Sequence, residues 1–192
     1  MKRFLASQQG MSIIEMMVVV GIVVIFSTFV IFNFSGTNDT MELQHAQSIV
    51  SNDLRAILSY AQTGKIVAKI GTVPNAYGMV LYPGTSRYIM YANYDGNHAY
   101  DSLGGQDLVV QEIDLHTDEL LQHMSIASCK TDPLTVGDPT IKPCDISVSI
   151  PKIDIFMNDE LVAKNTQIFL QHSRTGNDIT VTMDRISGKI DQ

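Results

Sequence analysis

The sequence predicts an α+β fold in which one long N-terminal α-helix packs on an antiparallel β-sheet domain. Residues 16–38 contain no Asp, Glu, Lys or Arg, and a segment with apolar residues at every third or fourth position follows them. Beyond residue 63, short apolar runs alternate with turn residues, and no second long helical pattern occurs. We therefore expect a helix that is first transmembrane and then amphipathic, followed by a β-rich domain.

The charge balance argues against a nucleic-acid-binding protein. The chain has 13 Lys and Arg against 20 Asp and Glu, which gives a net charge of −7. A surface that neutralises phosphates needs a basic stripe, so we expect no nucleic-acid partner. Charged residues make up 17% of the chain, below the roughly 25% of soluble domains. The composition indicates one soluble domain attached to one hydrophobic segment.

The N-terminal segment is predicted to be a membrane anchor. Residues 11–38 are long enough to cross the hydrocarbon core as a helix, which needs about 20 residues. Polar residues 7–10 separate the basic Lys2 and Arg3 from the apolar run, unlike a secretory signal, and no small-residue cleavage site follows. The positive-inside rule then places the N-terminus in the cytoplasm and the domain outside.

Glu15 is the one acidic residue within this apolar run. An ionised carboxylate inside a transmembrane helix costs about 2.5–3.5 kcal/mol on insertion scales, and less near the interface. One interpretation is that Glu15 lies close enough to the headgroups to reach them. The other is that it pairs with a cation inside an assembly, and this second interpretation is the one we favour.

Residues 9–15 read Gln-Gly-Met-Ser-Ile-Ile-Glu and lead into the uncharged apolar run. Together with the basic start and polar linker, this string resembles the class III signal of type IV pilins and type II secretion pseudopilins. The resemblance implies the pilin fold, with a leader peptide of residues 1–10, a helix of residues 11–63 and an extracytoplasmic domain of residues 64–192. Met11, where pilus major subunits most often have Phe, favours a minor subunit, as does the absence of Pro from the apolar segment.

The same resemblance implies roles for three residues. A prepilin peptidase would cut after Gly10, the new N-terminal residue Met11 would be N-methylated, and Glu15 would pair with the N-terminal amine of a neighbouring subunit. The implied partners are that peptidase, other pilin or pseudopilin subunits and an inner-membrane assembly platform. Before assembly the protein would span the bacterial cytoplasmic membrane once, with its domain in the periplasm or at the cell surface.

Past residue 38 the pattern changes to that of an amphipathic helix over residues 39–63. Asn38 and Asp39 form a capping signal that either restarts a helix after a break at Ser35-Gly36 or lies within a continuous one. Gly64 is a natural stop. The apolar stripe consists of Leu43, Ala46, Val50, Leu54, Ile57, Leu58 and Ala61.

The remaining residues are predicted to form short antiparallel strands separated by turns. The order of the last strands, ending on Ser187-Gly188-Lys189-Ile190, is similar to that of H-type minor pseudopilins and FimT-like minor pilins. The predicted strands cover residues 77–82, 87–94, 108–115, 124–128, 146–150, 153–157, 167–172 and 179–184.

Cys129 and Cys144 lie in the predicted external domain and flank a Pro/Gly/Thr-rich segment. A metal site would need two more ligands at short spacing, and none is nearby in the sequence. In an oxidising compartment we expect a disulfide, and the alternative is two free thiols.

Asp95, Asn97 and Asp101 carry oxygen ligands of the kind that calcium prefers, but the EF-hand spacing is not met. A hairpin turn with exposed polar residues is the alternative, so no cofactor is expected, with calcium as the one candidate. His116, Glu119 and His123 would share a face only if that stretch were helical, and a solvated turn is the favoured interpretation. No catalytic motif occurs, which predicts that the chain is not an enzyme.

Two functions remain open at this point. The first is a structural subunit of a type IV pilus-like or type II secretion filament, assembled through its hydrophobic helix. The alternative is a signal-anchored extracytoplasmic domain that binds a ligand or calcium and does not polymerise. Glu15 separates the two, because an anchor that never assembles has no use for this carboxylate.

Overall fold

The computed structural model describes residues 12–67, 71–101, 107–131, 143–185 and 188–191. Within residues 31–37 it describes the helical backbone only. The chain divides into two compact units, Met1–Asp39 and Thr40–Gln192. The α+β prediction is confirmed, since an N-terminal apolar helix precedes two antiparallel sheets.

Helix α1 extends over Ile13–Thr63 and has no break at Ser35-Gly36. Of the two alternatives for Asn38 and Asp39, the structure shows the continuous helix, and both residues lie in its interior. Gly64 follows the last helical residue with φ of 58°, the left-handed conformation that ends many helices. The predicted apolar stripe is confirmed: all seven side chains are buried, namely Leu43, Ala46, Val50, Leu54, Ile57, Leu58 and Ala61.

Within the described residues ten strands follow the helix, and every pairing among them is antiparallel. One sheet has six strands in the order β3-β2-β1-β5-β6-β7, and the other has four in the order β10-β9-β8-β4. The bounds are β1 Ala76–Leu81, β2 Arg87–Asn93, β3 Leu108–Asp114, β4 Met124–Thr131, β5 Cys144–Ser149, β6 Ile155–Met157, β7 Glu160–Leu161, β8 Asn165–His172, β9 Asp178–Asp184 and β10 Ile190–Asp191.

All eight predicted strands coincide with observed ones, and the two-residue strands β7 and β10 were missed. Between β3 and β4 the chain forms two 3-10 turns, Leu115–Thr117 and Glu119–Leu121. This stretch is not one helix, so His116, Glu119 and His123 do not share a helix face. The aspartates that precede the two turns cap them, because their side chains accept hydrogen bonds from the turns' backbone N–H groups.

The core of the unit Thr40–Gln192 lies where the buried stripe of α1 meets both sheets. Strand β1 is at the centre of the six-stranded sheet and is buried along its whole length. Its odd-numbered residues, Tyr77, Met79 and Leu81, belong to the core cluster with α1. Its even-numbered residues therefore face the opposite side of the sheet, because side chains alternate along a strand.

Gly78 permits a close approach on that opposite side. A Cβ built at this position would lie 2.4 Å from the ring of Tyr91, its register partner in β2. Real Cβ atoms do not approach ring carbons this closely, so the ring of Tyr91 occupies the space that any other residue at position 78 would fill. Because position 78 has no side chain, the ring of Tyr91 packs directly over the sheet and is fully buried.

Candidate functional site

The first candidate site is the start of α1. Gly10 and Met11 lie outside the described residues. Glu15 lies in the first turn of α1 and is exposed. A carboxylate in this position is favourable to the helix, because the first backbone N–H groups carry a partial positive charge.

The residues that follow Glu15 form an apolar surface without any cover. Ile13–Val30 has a mean hydropathy of 2.6 over 18 residues, and none of it is buried. This is the one described helix that is long and apolar enough to cross a membrane, and a signal sequence would have the same properties. Ser27 and Thr28 do not interrupt the apolar surface with unpaired hydroxyls, since each donates to the carbonyl four residues earlier at 2.8 Å.

Cys129 and Cys144 form a disulfide, so the alternative of two free thiols is wrong. Their Cα atoms are 6.1 Å apart. Strand β4 extends three residues beyond its predicted end, and Cys129 therefore lies within it, whereas Cys144 begins β5. Because β4 and β5 belong to different sheets, the disulfide joins the two sheets covalently.

The loop after β2 holds the three predicted calcium ligands. Within it, polar side chains bond to one another: Asn93 Nδ2 donates to Asp95 Oδ1 and to Asn97 Oδ1, both at 2.9 Å. Asn97 Nδ2 donates to Asp95 Oδ2 at 2.8 Å, and the backbone N–H of Asp101 donates to Asp107 at 2.6 Å. Among the described residues, no group of three close His, Cys or carboxylate ligands includes Asp95 or Asp101. The calcium site stays a prediction.

A buried carboxylate that the sequence analysis did not single out fastens this loop to the sheet. Asp145 of β5 is 6% exposed and accepts a hydrogen bond from Tyr91 Oη at 2.6 Å. It also accepts from the backbone N–H of Tyr100. Next to it, Ser147 Oγ donates to the carbonyl of His98 at 2.8 Å. The segment around His98 and Tyr100 is thereby held over the face of the sheet that is opposite α1.

The charge of this carboxylate is unfavourable in its surroundings. The pKa of Asp145 is raised to about 6, chiefly by burial and also by the nearby Asp107 and Asp159, against the lowering effect of its hydrogen bonds. Burial and the adjacent Asp145 carboxylate raise the pKa of Tyr91, so its hydroxyl stays protonated and donates. The pKa of Asp107 is raised as well, chiefly by burial. Asp145 and Asp107 therefore lie in a partly buried region, and the exposed Asp159 is close to it.

A second buried polar contact links α1 to the four-stranded sheet. His172 of β8 is fully buried, and its Nε2 lies 3.2 Å from Glu42 Oε2. The backbone N–H of Thr175 donates to His172 Nδ1 at 3.2 Å, so Nδ1 acts as an acceptor while Nε2 faces the carboxylate. Sequence offered no signal for this contact, because its partners lie 130 positions apart and neither belongs to a motif.

Comparison with known proteins adds no relative to this description. No family model, curated protein or solved structure matches the chain.

Proposed function

We propose that this chain is a structural subunit, of the minor pilin or pseudopilin type, in a type IV pilus-like or type II secretion filament. The observation that carries the proposal is Glu15: an exposed carboxylate at the start of a helix whose next residues are apolar on every side and uncovered. The proposed role is structural and not enzymatic. The resemblance to H-type and FimT-like minor subunits gives the finer assignment.

An uncovered apolar helix needs lipid or other helices around it, because its exposure to water is unfavourable. Lipid alone covers the apolar side chains, but the ionised carboxylate of Glu15 remains energetically unfavourable in it. A bundle of such helices covers the apolar side chains and also accommodates Glu15, provided that a cation pairs with its carboxylate. Cleavage after Gly10 would create that cation as the free α-amine of Met11, four residues before Glu15. The amine of one subunit would then pair with Glu15 of its neighbour.

The disulfide supports the proposed topology. Disulfides persist in oxidising compartments such as the periplasm and are rare in the cytosol. The bond between Cys129 and Cys144 therefore favours an extracytoplasmic position for the unit Thr40–Gln192. With Lys2 and Arg3 at the other end of the apolar segment, the positive-inside rule leads to the same orientation.

The first test is the intact mass of the mature protein from its native membrane, with fragmentation of the N-terminal peptide. We expect the chain to begin at Met11 and to carry one added methyl group. A chain that still begins at residue 1, or that is cut elsewhere, contradicts processing by a prepilin peptidase. The alternative of an anchored binding domain that does not polymerise would then be preferred.

The second test replaces the carboxylate by its neutral isostere. In Glu15→Gln we expect the protein to remain in the membrane while its amount in the sheared filament fraction falls at least about tenfold. The reason is that removing one partner of a buried ion pair costs about 3–5 kcal/mol. Glu160→Gln, at an exposed position on β7, is the matched control and should assemble normally. Normal assembly of Glu15→Gln would refute the proposed pairing.

A further inference from the structure

The second 3-10 turn presents a large apolar side chain to solvent. Leu120 is 64% exposed, the highest value among the large apolar side chains described in the unit Thr40–Gln192. Met41 of α1 is next at 59%. Exposed apolar side chains that lie together on a polar domain mark interaction sites more often than isolated ones do. Whether Leu120 and Met41 lie on the same surface therefore decides whether they can form such a site.

A contact between α1 and the turn places the face of α1 that carries Met41 beside the turn that carries Leu120. His45 Nε2 lies 2.9 Å from Asp118 Oδ2. Met41 is one helical turn before His45 and shares its face, while Leu120 is two residues after Asp118. Ile49, one helical turn after His45, lines a shallow groove together with Asp118. We call the surface formed by Met41, His45 and Leu120 the helix–turn surface.

The turn that carries Leu120 is fixed by its own hydrogen bonds. Asp118 Oδ1 accepts from the backbone N–H of Leu120 at 2.9 Å. Gln122 Nε2 donates to the carbonyl of His116 at 2.7 Å and to that of Asp118 at 3.2 Å. Leu121, the next residue, is fully buried and anchors the turn in the core. Binding through Leu120 would therefore cost little conformational entropy, because the turn is ordered beforehand.

Two exposed glutamates lie close to the helix–turn surface. Glu112 of β3 lines the groove beside Ile49, and Glu119 directly precedes Leu120. Both glutamates are exposed, and neither forms an ion pair within the described residues. An apolar centre with an acidic rim is complementary to a partner that presents an apolar side chain flanked by cations.

A second copy of this chain is a poor match for that rim. Each copy carries a net charge of −7, so two copies repel one another before contact. Charge complementarity therefore points to a different protein.

We propose that the helix–turn surface is a docking site for a different, basic protein, whose contact segment places an apolar side chain against Leu120 and lysine or arginine against Glu112 and Glu119. The proposal goes beyond filament assembly through α1 and does not require it, because every residue of the site lies in the unit Thr40–Gln192.

Photo-crosslinking of the full-length protein in its native host tests this proposal. Benzoylphenylalanine replaces Leu120 in one variant and Leu161 in the control, since Leu161 is 50% exposed on β7 at an edge of the six-stranded sheet. We expect a crosslink from position 120 to a protein other than this chain, with a crosslinked peptide that contains Lys or Arg, and a much weaker product from position 161.

Charge reversal then tests the rim in the same crosslinking background. Glu119→Lys should reduce the crosslink from position 120 by about fivefold, because a cation would face the partner's cations. Glu160→Lys, an exposed charge reversal on β7, should leave it unchanged. A crosslink to a second copy, equal products from both positions, no product from position 120, or an unchanged yield with Glu119→Lys would each overturn the proposal.

Discussion

Replacing Asp145 by asparagine should change how the stability of the domain depends on pH. In the folded protein the pKa of this carboxyl is raised from 3.8 to about 6, chiefly by burial. Because the folded-state pKa is the higher one, the stabilising contribution of Asp145 is complete below pH 3.8 and is lost as the pH rises through about 6. The difference between the two pKa values corresponds to about 3 kcal/mol.

Asp145→Asn removes this ionisation but also replaces one acceptor oxygen by an amide group. Its two acceptor contacts are with Tyr91 Oη and the N–H of Tyr100, so one of them is lost at a cost of about 1 kcal/mol. The variant should therefore be about 0.5 kcal/mol less stable than the wild type at pH 4, where the unfolded chain is already partly ionised, and about 2 kcal/mol more stable at pH 7.5. For a domain of this size the second value corresponds to a melting temperature higher by about 4–8 °C.

The assay is urea unfolding of the full chain in non-ionic detergent, followed by circular dichroism at pH 4, 5.5 and 7.5. Asp114→Asn is the matched control, because the hydrogen bond from Ser86 lowers the pKa of Asp114 and gives the opposite sign of pH dependence. If the unfolding free energies of the wild type and Asp145→Asn changed by the same amount across this pH range, the effect of burial on the pKa of Asp145 would be refuted.

Three further variants test the packing of the same domain. Replacing Cys129 and Cys144 together by serine should lower the unfolding free energy by about 3 kcal/mol, measured by urea titration, because the cross-link between the sheets is lost. Gly78→Ala should lower the melting temperature, with a cost of about 1–3 kcal/mol, because its Cβ would meet the ring of Tyr91 at 2.4 Å. Leu54→Ala should cost about 2–5 kcal/mol in the same titration, since Leu54 is 1% exposed in the core. An unchanged urea midpoint or melting temperature in any of these variants would contradict the contact on which its prediction rests.

Local sequence patterns were sufficient where the physical cause is itself local. The stripe from Leu43 to Ala61 repeats with the period of a helix, so the sequence indicates both the helix and its buried face. Short β-branched and aromatic runs bounded by turn residues likewise locate eight of the strands. The strands β7 and β10 have two residues each, too few to show any alternation. The capping signal at Asn38-Asp39 left two alternatives open, because a capping residue is also tolerated inside a continuous helix.

The candidate sites also differ in how far the local sequence identifies them. Glu15 is recognisable in the sequence alone, because a carboxylate in an apolar run is anomalous wherever the helix lies. The disulfide followed from the count of two cysteines, but only the strand order revealed that it joins two sheets.

The sequence by itself determined the apolar segment, the position of its acid, the fold class and the face of α1 that packs inward. Only the tertiary structure decided which distant polar groups meet. Asp145 lies 54 positions from Tyr91, and Asp118 lies 73 from His45. Neither pair belongs to a periodic pattern, and each depends on how strands and turns that are remote in the chain are brought together. The raised pKa of Asp145 and the exposed position of Leu120 are therefore properties of the packed domain.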